Sequence, residues 1–156
     1  MIETERKFLV DKRRLHELTF ESEEMIVQGY LSTSPTVRIR LKGNRAFLTV
    51  KSPTRGISRQ EYEYEIPVED AAELLKLCGG KVLKKIRRTL THSDHVWEVD
   101  FFMGRHAGLV LAEVELTSAD EQFILPEWIT REVSADARYA NSTLASSDKP
   151  YRIVSR

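Results

Sequence analysis

Cysteine is almost absent from this chain of 156 residues: Cys78 stands alone, so no disulfide framework can hold the fold together. That thiol falls within the apolar pattern of a predicted helix, where a small buried side chain is its expected role. Long apolar runs are missing too. No stretch approaches the roughly 18 residues of a membrane span, and the N-terminus turns charged within three residues, so neither insertion nor secretion is signalled. A soluble cytoplasmic protein without a membrane partner is expected. Neither sign of charge is in excess: lysine plus arginine total 24 and aspartate plus glutamate total 24. No basic surplus therefore draws the whole molecule toward nucleic acid or anionic lipid, and any charge-based function must be local. "GNR" at 43–45 is not followed by GKS or GKT, which excludes a phosphate loop of that kind. No serine or cysteine has a base beside it in the sequence, which favours water as a nucleophile. His16, His92, His95 and His106 show no metal spacing and read as surface residues. With no internal repeat, low-complexity tract or linker, residues 1–156 read as a single domain.

What the chain does contain is short alternating segments separated by turn residues, the pattern of an antiparallel sheet or barrel. The predicted strands are 2–9, 26–31, 36–42, 45–51, 59–66, 83–91, 96–102 and 109–117. "KGNR" at 42–45 predicts a tight hairpin, because Gly43 and Asn44 both tolerate positive φ. Four helical segments are predicted. The clearest is 67–80, with Pro67 at its start and Gly79 after its apolar run. A second begins at Ser118, with Glu121 at capping-box spacing and Pro126 as a stop. A short one covers 11–18, and the last runs from Ser134 to Ser147 with a weak apolar face that suits a lid.

Side chains two apart on a strand share a face. In "IETERKFLV" Glu3, Glu5 and Lys7 share one. In "VRIRLK" Arg38, Arg40 and Lys42 do so, opposite Val37, Ile39 and Leu41. Glu61, Glu63 and Glu65 oppose Tyr62, Tyr64 and Ile66. Lys51, Lys85 with Arg87, Glu98 with Asp100, and Glu113 with Glu115 continue the series. An ordinary one-sided sheet would place such charges in solvent. Yet most of these strands contribute charge of one sign, and their opposite faces carry apolar residues that need cover, which the helices at 67–80 and 118–125 can supply. A closed barrel with charges inside and apolar residues outside satisfies both features.

Unpaired ions out of water cost several kcal/mol each, so such an interior must be filled. Clustered arginine and lysine suit a chain of phosphates. Carboxylates in the same space would repel that anion unless divalent cations sat between, and magnesium binds through one or two carboxylates plus phosphate oxygens. A metal-bridged oligophosphate accounts for both signs.

"ETERK" carries the ExExK signature of the CYTH superfamily, the triphosphate tunnel metalloenzymes. "RIR", "TVK", "EYEYEIP", "KKIRR", "WEVDFF", "AEVEL" and "EVSADARYANSTLA" extend the similarity, in order, along nearly the whole chain. The short form most resembles the bacterial inorganic triphosphatase branch. The resemblance implies a mainly β fold: a closed eight-stranded antiparallel tunnel with helices outside and a C-terminal lid helix. It implies a two-metal magnesium or manganese site at Glu3, Glu5, Glu113 and Glu115. Lys7, Arg38, Arg40, Lys51, Lys85, Arg87 and Tyr139 are implied to bind substrate, Tyr139 from the helix that plugs the tunnel mouth. Glu5, Glu61, Glu63 and Asp100 are implied in catalysis, the last three beside a second metal or its water. Tyr30 joins the candidates as a group that positions phosphate or water. Arg88 departs from the aromatic residue common after the KxR motif and is expected to point outward. Tripolyphosphate is the implied substrate. The alternatives are an organic triphosphate (class IV adenylate cyclase, or thiamine or nucleoside triphosphatase), for which Tyr30, Trp97 and Phe102 are the aromatic candidates, and a noncatalytic polyphosphate sensor. A homodimer is left open.

Overall fold

A computed structural model describes residues 1–147; the remainder of the expected 1–156 domain lies outside the described residues. Nine strands form one sheet: β1 (Ile2–Val10), β2 (Ser22–Thr33), β3 (Thr36–Lys42), β4 (Arg45–Lys51), β5 (Ser58–Ile66), β6 (Val82–His92), β7 (His95–Phe102), β8 (Val110–Leu116) and β9 (Ile129–Glu132). Their order is β5-β4-β3-β2-β6-β7-β8-β1-β9, and β1 also pairs with β5, which closes eight antiparallel strands into a barrel. The ninth strand, unforeseen in the sequence, lies on β1 beyond that closure. No helix among the described residues is long and apolar enough to cross a membrane.

The barrel is apolar outside. On one flank Phe8, Trp97, Val99, Ala112, Val114 and Trp128 are buried together. The predicted 118–125 helix does not form. Instead the Glu121 carboxylate accepts from Thr117 N–H at 2.6 Å and Thr117 Oγ1 at 2.7 Å, and binds His95 Nε2 at 2.7 Å. The acid that resembled a capping-box partner therefore caps a strand end, and the irregular segment behind it lays Phe123 against the Phe8 and Trp97 rings. Cover also comes from Leu15, Leu18 and Phe20 in and after a 3-10 turn at Lys12–Glu17.

On the opposite flank α1 (Val68–Lys76), shorter than the predicted 67–80, covers Ile39, Ala46 and Leu48 with Ala71, Leu74 and Leu75. It sits close because β2 carries Gly29: a Cβ there would lie 2.8 Å from Cys78 Sγ and 2.9 Å from Leu75 Cδ2. Cys78 is buried as expected. The Lys42–Arg45 hairpin forms, but only Gly43 takes positive φ (60°), so glycine at the first central position does the work expected of both residues.

The predicted 134–147 helix is reduced to a 3-10 turn at Ala137–Tyr139 and α2 (Asn141–Ser146). Ser134 is not a helix cap; its hydroxyl accepts from Lys7 N–H at 2.9 Å and bonds Glu132 at 2.7 Å. This segment fills one end of the barrel, where Tyr139, Leu144 and Ala145 pack on Tyr30, Leu83, Phe102, Leu109 and Leu111. His106, expected at the surface, is buried and binds the Leu144 carbonyl at 2.7 Å, holding that segment down.

Candidate active site

Strand parity carries the charged faces inward. A cavity of about 220 Å³ is lined by Glu3, Glu5 and Lys7 from β1, Tyr30 from β2, Arg38 and Arg40 from β3, Lys51 from β4, Glu61 and Glu63 from β5, Lys85 and Arg87 from β6, and Glu113 and Glu115 from β8. These are the sequence candidates, brought together with two exceptions. Asp100 is fully buried behind the wall, where it binds Lys85 at 2.7 Å and takes both arms of the Arg87 guanidinium at 2.8 and 2.9 Å. Tyr139 turns its ring into the apolar plug, where it is buried among apolar side chains, and offers the tunnel its carbonyl, which accepts from Lys7 Nζ at 3.0 Å.

Carboxylate oxygens of Glu3, Glu5 and Glu115 lie within 4.8 Å of one another, a spacing that one cation can bridge. Glu113 is adjacent but differs in its electrostatics. Burial, then the charge of Glu113 and a hydrogen bond to it, push the Glu5 carboxyl well above its usual range. Burial would raise Glu113 too, but Lys7, the bond to Glu5, Arg87 and Lys85 outweigh it and hold that group well below its usual range. Glu115 is raised by burial and by the like charges of Glu98, Glu3 and Glu61. An all-oxygen donor set with surplus negative charge suits a hard divalent cation.

The cations are held by internal partners, most of them counter-charges. Arg38 reaches Thr49 Oγ1 at 3.2 Å and Glu63 at 3.3 Å, yet its buried Nε has no acceptor among the described residues. Arg40 donates twice to Gln28 Oε1, at 3.2 and 3.0 Å, and Gln28 in turn donates to Tyr30 Oη at 2.7 Å. Burial and the neighbouring Arg38 and Arg87 lower the Arg40 pKa to about 10. Lys51 bridges Glu3 at 3.0 Å and Glu61 at 3.3 Å. Lys85 binds Asn141 Oδ1 at 2.8 Å besides Asp100, but burial, aided by Arg87 and Arg40, draws its pKa down to about 7.

Several wall residues were not among the sequence candidates. Lys42 and Glu98, already placed on charged faces by alternation but given no role, line the wall, and so does Arg59, which shares the parity of Glu61 and Glu63; Glu98 binds Arg87 at 3.1 Å and Arg59 reaches Glu3 at 3.4 Å. Gln28 and Asn141 had no such signal. Trp97, an aromatic candidate, faces the outer core, and Arg88 points outward as expected, paired with Glu23 at 2.6 Å and stacked on Phe101.

A closed antiparallel barrel with a two-signed interior, built on the ExExK strand, defines a class, and comparison with known proteins agrees: the CYTH domain family profile covers residues 1–149, and the chain belongs to that family. Among its relatives, an inorganic triphosphatase of Acetivibrio thermocellus is 42% identical over 96% of this chain and 96% of its own length. An inorganic triphosphatase of Nitrosomonas europaea is 40% identical over 94% of this chain and 99% of its own. A crystal structure of an inorganic triphosphatase superposes with a TM-score of 0.66 at 36% identity, covering 94% of this chain and 96% of that one.

Proposed function

We propose that this chain hydrolyses inorganic tripolyphosphate to pyrophosphate and orthophosphate inside its barrel, with magnesium or manganese as the cation. The observation that carries the reading is one wall of two signs: Glu3, Glu5 and Glu115 converge, while Lys7, Arg38, Arg40, Lys51, Lys85 and Arg87 surround the same space. The relatives named inorganic triphosphatases support it. Glu3, Glu5 and Glu115, with Glu113 beside them, would hold the cation; when bound it supplies Lewis acidity and a more acidic water. Among the described residues no second group of three carboxylates forms, so a second cation would depend on Glu61, Glu63 and substrate oxygens.

The remaining work falls to the chain. Arg38, Arg40 and Lys51 exchange their internal partners for phosphate oxygens, Lys85 and Arg87 keep Asp100 and turn their other donors to the substrate, and together they hold the chain of phosphates in line; the Arg38 Nε donor, unmet among the described residues, gains an acceptor. Glu61 and Glu63 orient the attacking water from the same wall. The Tyr30 hydroxyl, fixed by Gln28, points a donor at the substrate. Asp100 acts from behind, fixing Lys85 and Arg87. Phosphate release from tripolyphosphate, ATP and thiamine triphosphate, each with magnesium, manganese or chelator, tests the assignment, with cyclic AMP assayed alongside. Release from tripolyphosphate that chelator abolishes is the expected result. Binding without release would identify a sensor, and preferred use of ATP would reinstate a nucleotide enzyme.

A further inference from the structure

A second cavity, of about 390 Å³, lies outside β1. It originates in a gap in strand pairing. One edge of β1 pairs with β8 from Thr4 to Leu9, but the other pairs with β5 only at Ile2, Glu3 and Thr4 and with β9 only from Phe8 onward. Between those stretches, Glu5, Arg6 and Lys7 meet no strand on that edge among the described residues. Loops satisfy the backbone instead: Glu5 N–H donates to the Ile57 carbonyl at 3.3 Å, Lys7 N–H to Ser134 Oγ, and Val133 N–H to the Lys7 carbonyl at 2.8 Å. The 52–57 loop and the 133–137 segment therefore stand apart where a strand would have sealed the wall. Thr54, Gly56, Ala135, Asp136 and Ala137 line the space between them.

Glu3, Glu5, Lys7, Arg59 and Ala140 line both this cavity and the tunnel, so these residues form the partition. Two of the three converging carboxylates thus face both spaces. The partition is lightly latched: Arg59 Nε stands 3.4 Å from Glu3, near the limit of a hydrogen bond, and Lys7 Nζ is drawn aside to the Tyr139 carbonyl. The tunnel itself, lined by most of the cations, is the space that an oligophosphate occupies. Magnesium gives up its waters reluctantly, and six waters at about 30 Å³ each amount to roughly 180 Å³. The outer cavity is large enough for an ion that carries them.

We propose that this gap is a side entrance for the divalent cation. The hydrated ion reaches and leaves Glu3 and Glu5 between the 52–57 and 133–137 segments while the oligophosphate stays in the tunnel. The inference rests on the reading of Glu3, Glu5 and Glu115 as the ion site. Ala137→Trp and Thr54→Trp each place a large ring in the gap from exposed positions on opposite sides, clear of the core. Manganese binding is first measured by loss of the sharp aqueous Mn²⁺ EPR signal. The enzyme is then loaded with Mn²⁺ and bis-methylene triphosphonate, a non-hydrolysable tripolyphosphate, and release of Mn²⁺ into excess magnesium is followed by return of that signal. Both variants should release Mn²⁺ at least about tenfold more slowly than wild type, with equilibrium Mn²⁺ affinity and triphosphonate association changed by less than about threefold. If either variant fails to fold, the other decides. Unchanged release overturns the proposal, as does slowed triphosphonate association in parallel, which would make the gap a common mouth. Wild-type protein that binds no Mn²⁺ removes the ion site itself, whereas normal Mn²⁺ binding with no effect of either ring removes only the side entrance.

Discussion

Asp100→Asn isolates the internal charge that holds the tunnel's cations. Asp100 has a side-chain exposure of 1%, as does Lys85, and Arg87 has 9%. The amide keeps the volume and loses the charge, leaving an ammonium 2.7 Å away without its counter-ion and a guanidinium at 2.8 and 2.9 Å with Glu98, at 3.1 Å, as its nearest remaining one. Removing one partner of a buried pair costs about 3–5 kcal/mol, against about 0.2–1 for an exposed pair. At about 2–4 °C per kcal/mol for a chain of this size, the melting temperature should fall by roughly 6–20 °C. The loss should also depend on pH. Lys85 has a folded pKa of about 7, below its usual 10.5, so the folded state binds fewer protons than the unfolded one between those values and this group's contribution to stability rises with pH across that window. Without Asp100 the folded pKa drops further. Below it the variant bears the full cost of a charged buried amine, and well above pH 7 the amine is neutral in both proteins, so that part of the difference vanishes. Urea unfolding of both proteins at pH 6 and pH 8.5 measures this. The expected gap is largest at pH 6, shrinks at pH 8.5 and keeps a residue due to Arg87. A gap below about 1 kcal/mol at pH 6, or one that widens with pH, would refute the reasoning.

Glu3→Gln and Glu115→Gln should abolish tripolyphosphate turnover at ordinary metal concentration with the circular dichroism spectrum unchanged, since each amide keeps its shape and loses a converging charge; full activity across a metal titration would overturn the assignment. Tripolyphosphate should exceed ATP in kcat/KM by at least about tenfold, roughly 1.4 kcal/mol of transition-state stabilisation, as steady-state kinetics would show. Tripolyphosphate with calcium at about a hundredfold over Kd should add roughly 2.7 kcal/mol to folding, and Arg38→Gln should reduce that rise in a melting experiment because an oxygen acceptor's partner is gone. Gly29→Ala should destabilise the fold by about 1–3 kcal/mol, because its methyl would meet Cys78 Sγ and Leu75 Cδ2, with kcat unchanged since α1 lies outside the barrel.

Alternation is a local property, and what depends on it was legible in the sequence: the eight barrel strands, the Gly43 hairpin, and the faces carrying Glu3, Glu5, Lys7, Arg38, Arg40, Lys51, Glu61, Glu63, Lys85, Arg87, Glu113 and Glu115. Each strand fixes which of its side chains point together, whatever lies beside it. The family signature then named the closure that alternation only permitted. Elements whose form depends on remote partners were misread. Glu121 at capping-box spacing predicted a helix, yet His95 and Thr117 claim its oxygens, and Phe123 and Trp128 cover the barrel from irregular backbone. Tyr139 lies in a 3-10 turn before the short helix, with its ring among Tyr30, Phe102 and Leu111 rather than on the tunnel lining, because packing with remote apolar residues decides where it goes. Asp100 shares the parity of Glu98, but only the register of β6 against β7, which sets Arg87 opposite Asp100, decides that one carboxylate lines the tunnel and the other anchors its cations. Pairing register, barrel closure and the fit of the plug are contacts between residues far apart in sequence. Their energies belong to pairs brought together by folding, and no single segment carries them.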